Sequence, residues 1–160
     1  MAASNTYTPI ATTTLGTSSS TVTFSSFSGY TDLRLIMSIK NGVGADYQIR
    51  ATVNSDGGTN YSATVLRGTS ALRYNNNGSI IVGWCNNTNF TVNKLDFLSY
   101  ANTSIYKTII SRFDNLTDYV GMGVNVWRNT AAITSISIGL ESGQNMLSGS
   151  TFTLYGILAA

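Results

Sequence analysis

Histidine is missing from this 160-residue sequence. With it go the commonest general base, the usual partner of a nucleophilic thiol or hydroxyl, and the commonest transition-metal ligand. The single cysteine, Cys85, excludes an intramolecular disulfide. Charged residues make up only 10% of the chain, against roughly 25% in an ordinary soluble domain. The nine Lys and Arg are scattered singly from Arg34 to Arg128 and the net charge is only +2, so there is no basic stripe to displace counterions and nucleic acid is not an expected partner. No run of eighteen apolar residues exists to span a membrane as a helix. The opening MAASNTYTPIATTTLG lacks the basic and apolar blocks of a secretory signal, so synthesis in a cytoplasm is expected.

Ser, Thr, Asn and Gly occupy the positions that charges usually fill, and such a surface of hydroxyls and amides repels its own kind weakly. Disorder is argued against by an apolar fraction of 42% and by nine Tyr, six Phe and two Trp, enough apolar surface to offset the entropy of ordering. The length suits one domain over 1–160, without a linker-like break in composition and with Pro9 as the only proline.

Apolar residues recur at a spacing of two almost everywhere, which predicts an all-β protein. Strands are expected at Tyr7–Leu15, Thr21–Phe27, Leu33–Ile39, Tyr47–Val53, Tyr61–Arg67, Ser79–Trp84, Thr91–Tyr100, Tyr106–Phe113, Gly121–Arg128, Ile133–Leu140 and Thr151–Leu158. Alternation assigns faces: Ile136, Ile138 and Leu140 share one, as do Phe152, Leu154 and Gly156. By the same logic Met122, Val124 and Val126 form a core face, opposite Gly121, Gly123, Asn125 and Trp127. Turn-forming clusters, among them Asn41–Asp46, Asn54–Asn60, Asn75–Gly78, Asn86–Asn89 and Ser142–Ser150, fall between the strands without helical spacers. This predicts an antiparallel two-sheet sandwich, a jelly roll first and an immunoglobulin-like sandwich second. Residues 1–15 would form an N-terminal arm or edge strand.

Few residues offer chemistry. Asp32, Asp46, Asp56, Asp114, Asp118 and Glu141 sit at turns or strand ends, where solvated carboxylates are ordinary. Asp96 lies within a strand beside Lys94, as a surface pair. Asn54, Asp56 and Asn60 supply hard oxygens on a glycine-containing loop, but with one carboxylate they fit an ordinary turn better than a calcium site. Cys85, inside IIVGWCN, reads as a small buried strand residue. No catalytic residue, metal or cofactor is expected, and the chain reads as a binding or assembly domain rather than an enzyme. The aromatics suit either protein contacts or sugar stacking, with Tyr7, Tyr74, Trp84, Tyr119, Trp127 and Tyr155 as candidates for an interface or glycan-binding surface. The Asn-X-Ser/Thr triplets beginning at Asn60, Asn86, Asn102 and Asn115 are chance products of the composition.

The ordered features TYTPIATTTLG, TVTFSSF, YTDLRLIMS, NYSATVLRG, YKTIISR, VWRNTAAITSISI and GSTFTLYGI resemble a family of small virion proteins of tailed bacteriophages, cyanophages especially. The most specific stretches are Trp127–Ile138 and Gly149–Ile157. The resemblance implies a structural role in the virion: a head decoration or cement protein, or alternatively a tail-fibre or receptor-binding module recognising host surface glycans. Its partners would be copies of itself, expected as a homotrimer, and the major capsid protein or other virion proteins. No catalytic residues come with the resemblance.

Overall fold

A computed structural model describes residues 6–115 and 119–158. The alternating segments form twelve strands: β1 (Tyr7–Thr14), β2 (Thr21–Ser25), β3 (Asp32–Ile39), β4 (Tyr47–Val53), β5 (Tyr61–Arg67), β6 (Ser70–Asn77), β7 (Ile80–Cys85), β8 (Thr91–Phe97), β9 (Lys107–Asn115), β10 (Tyr119–Trp127), β11 (Ser135–Leu140) and β12 (Thr151–Ile157). All pairings are antiparallel. They build an eight-stranded sheet, β1-β12-β3-β8-β9-β10-β5-β6, and a four-stranded sheet, β2-β11-β4-β7.

The two sheets pack as a sandwich, as the alternation predicts. Successive strands change sheet: β1 to β4 pair in turn with β12, β11, β8 and β7, as one long ribbon folded over so that its halves face each other. Two hairpins, β5–β6 and β9–β10, are inserted into this ribbon and lie side by side, extending the large sheet beyond β8. The main core fills the space between the sheets with Leu33, Leu35, Met37, Leu95, Phe97, Phe152 and Leu154 from one side, and Phe24, Ile49, Val53, Ile136 and Ile138 from the other. Gly156 completes the β12 stripe because the Tyr30 ring lies against it, where a Cβ would overlap.

β7 is buried along its whole length. Ile80, Val82 and Cys85 face the main core, while Ile81 and Trp84 join Ala63, Val65 and Phe113 in a second cluster beneath the inserted hairpins. An apolar run with no polar face is what a strand covered on both sides requires. β7 also ends the small sheet, so its outer backbone groups need partners. The buried Asn125 of β10 supplies two: Ile81 N–H donates to its Oδ1 at 2.8 Å, and its Nδ2 donates to the Ile81 carbonyl at 3.1 Å.

Two details depart from the alternation. β6 is not among the expected strands, and its end falls in the expected turn Asn75–Gly78, because SALRYNNN offers only Leu72 and Tyr74 at apolar spacing before an asparagine run. It is an edge strand, and there the asparagines face water at no cost in core packing. β10 is turned inside out. Gly121, Gly123, Asn125 and Trp127 face inward, while Val120, Met122 and Val124 face solvent with 72%, 41% and 45% of their surface exposed. The inner positions are small because the neighbouring strand stands close: a Cβ at Gly121 would overlap the Phe113 ring, and one at Gly123 would lie 2.7 Å from Ser111 Oγ.

Candidate functional site

Of the six aromatics expected at a surface, the two tryptophans are corrected outright. Trp127 is 1% exposed, its ring in the main core and its Nε1 donating to Asp56 Oδ2 at 2.7 Å. Trp84 lies in the second cluster, tilted against Phe113 with centroids 5.3 Å apart and with the Arg67 guanidinium 4.8 Å from its ring centroid. Both were misplaced for one reason: strand period fixes which residues share a face but not which face is wet. Tyr74 is half-buried against the second cluster, its hydroxyl accepting a 3.2 Å bond from Gln48 Nε2. The Tyr119 side chain lies outside the described residues, as does Asp118.

Tyr7 and Tyr155 are brought together. They meet edge to face on the outward side of β1 and β12, 6.1 Å between centroids, with the Arg34 guanidinium 5.1 Å from the Tyr7 centroid. Arg34 also pairs with Asp96, whose other oxygen takes Lys94 Nζ at 3.1 Å. The expected Lys94–Asp96 pair is therefore present, with Arg34 as a third member. The N-terminal segment from Tyr7 is an edge strand on its own chain's β12, with a bulge between Pro9 and Ala11 that breaks up its free edge; Met1–Asn5 lie outside the described residues.

Several of the described acids are engaged locally. Asp32 Oδ1 accepts from Ser99 N, Asp114 Oδ1 from Val92 N, and Glu141 pairs with Arg50 at 2.6 Å. In the loop considered for calcium, Asp56 accepts from Trp127 Nε1, Asn60 Nδ2 and Gly58 N, which together hold its carboxyl below the usual value, the indole bond foremost. Asn54 Oδ1 accepts from Thr134 and Ser135 N–H. The loop's oxygens thus tie it to β10 and to the approach to β11, as a structural turn. Among the described residues no group of three acids or cysteines stands close enough to hold a metal.

Two buried reactive groups have structural surroundings. Burial pushes the Cys85 thiol up to about 12. Lys107 is fully buried and donates to the Ile105 and Thr130 carbonyls at 2.9 and 3.0 Å, joining two loops, and burial lowers its pKa. Sequence reasoning passed over this lysine, since a single cation at a strand start carries no sign of burial.

It also missed a recess on the large sheet. A groove of about 710 Å³ lies on the outward face of the large sheet, walled by Leu66, Val92, Val120 and Met122. Its lining also includes Gly68, Gly121 and the polar Lys94, Arg112 and Asp114. Leu66 and Val92 are 52% and 53% exposed. The available signal was the pair Gly121 and Gly123, whose missing side chains mark the crowded face of β10 and so put the valines outside. Compared with known proteins, the chain matches no protein-family model and no curated protein.

Proposed function

We propose that this chain is a structural protein of a tailed-bacteriophage virion, and specifically a decoration or cement protein that binds the outer head shell and stabilises it through contacts between copies. The observation that carries the reading is the apolar outward face of β5, β8, β9 and β10, with Leu66, Val92, Val120, Met122 and Val124 in water. A contiguous patch of this kind on a charge-poor surface marks a contact site. The likeness of Trp127–Ile138 and Gly149–Ile157 to phage virion proteins points the same way. The strand order supports it too: β1, β12, β3 and β8 facing β2, β11, β4 and β7 is compatible with a jelly roll, a fold used in viral capsids. In this reading the protein is made in the host cytoplasm, joins the particle as a homotrimer and needs no cofactor. Local engagement of several of its acids supports a role without catalysis.

A second reading has one specific observation in its favour. The Tyr7–Tyr155 pair beside Arg34 and Asp96 offers an aromatic edge with charged hydrogen-bonding groups, the mixture that recognises sugars on a receptor-binding module. Cryo-electron-microscopy reconstruction of the virion tests both. Density on the head supports the cement role and density at the tail the receptor role; absence from the particle sinks the proposal. Binding on an array of host glycans, lost in Tyr7→Ala, would favour the second.

A further inference from the structure

We infer that copies of this chain meet through the outward face of β5, β8, β9 and β10, around the groove walled by Leu66, Val92, Val120 and Met122. The inference deepens the assembly reading and rests on it only for the biological setting. Cross-strand register makes the face continuous: Met122 stands opposite Leu66 on β5 and Arg112 on β9, Arg112 opposite Lys94 on β8, and Lys94 opposite Ile36 on β3, itself exposed. Val124 lies beside Ile110 in the adjoining row. A stable contact removes roughly 800 Å² from each partner. Leu66, Val120, Met122 and Val92 supply its apolar contacts, and Arg112 and Asp114 of β9 run between them, through the middle of the face.

Charge selects the occupant. Lys94 and Arg112 are matched on β8 and β9 by Asp96 and Asp114, with Arg34 of β3 sharing Asp96 at the edge, so the face carries both signs and little net charge. A face of both signs suits another copy of itself, because Arg112 of one copy can meet Asp114 of the next, whose Oδ1 accepts from Val92 N–H within its own chain. The rest of the surface assists, since a chain with 10% charged residues and a net charge of +2 sets little repulsion between copies. Burying Val120 and Leu66 then supplies the driving force.

Sedimentation velocity of the full chain over a wide concentration range tests this, with Val120→Asp, Leu66→Asp and the charge reversals Arg112→Asp and Asp114→Arg. Circular dichroism and thermal melting confirm that each variant folds, as expected for outward positions. The wild type should sediment as a multiple of 17.1 kDa. Val120→Asp and Leu66→Asp should raise the dissociation constant tenfold or more. Each charge reversal alone should weaken association, and the two combined in one chain should restore it. Wild-type oligomers that survive all four substitutions would place the contact elsewhere and overturn the inference. A wild type that stays monomeric at every concentration yet binds phage shells would also overturn it, leaving the cement role standing. Failure to bind shells, with self-association intact and lost in the variants, would sink the cement role and leave this contact supported.

Discussion

Replacing Asn125 by leucine removes one side chain and orphans two backbone groups on a different strand. Asn125 is fully buried, and its amide is the partner of both Ile81 N–H and Ile81 C=O on the outer edge of β7. Leucine fills nearly the same volume but offers neither donor nor acceptor. A buried backbone group left without a partner costs about 1–3 kcal/mol, so two cost about 2–6 kcal/mol. Burying leucine in place of an amide returns about 1–2 kcal/mol. The net loss should be about 3 kcal/mol, which for a chain of this size lowers Tm by roughly 6–12 °C. Urea denaturation should show the midpoint falling at constant slope, and hydrogen exchange should show the Ile81 amide losing protection more than amides of β3 or β12. An Asn125→Leu variant within about 0.5 kcal/mol of wild type, with Ile81 still protected, would refute the claim that this amide seals the edge.

Trp127→Ala should cost about 3–5 kcal/mol by emptying a core position, and Trp127→Phe about 1–2 kcal/mol for the lost indole bond to Asp56; equal effects on urea stability would contradict that separation. Because Asp56 has its carboxyl held low in the folded state, its contribution is complete above the ordinary value of about 3.8 and is lost as pH falls through the folded value. Asp56→Asn should therefore flatten the acid limb of the stability curve, and an unchanged limb would show that these bonds carry no linkage. Cys85, buried with its thiol raised to about 12, should resist an aromatic disulfide reagent at pH 8 and react fully in denaturing urea. Rapid labelling of the native protein would contradict its placement.

The strand plan was legible because period-two alternation survives in nearly every segment, and the faces of β11 and β12 follow from Ile136, Ile138, Leu140, Phe152 and Leu154. Alternation stops being informative where both faces of a strand touch something other than water. β10 meets β7 on its inner side through Asn125, and its other inward positions are glycine and tryptophan, so its valines are read as core when they are surface. The same inversion sent Trp127 to the outside. β6 was hidden for the opposite reason: with water on most sides, little apolar pattern is needed to hold it. The groove followed from neither strand alone, since it exists only once Leu66, Val92 and Val120, distant in sequence, are placed in register.

The two inserted hairpins come from separate interruptions of the chain yet lie next to each other at one end of the large sheet. The eight-strand ribbon encloses most of the main core, while β5, β9 and β10 carry much of the exposed apolar face. Most of the main core and most of the exposed apolar face thus fall on different parts of the polypeptide, with Val92 of β8 as the link between them. On the proposed contact, outward positions on the hairpins can vary one substitution at a time, changing the partner surface while the layer between the sheets stays the same.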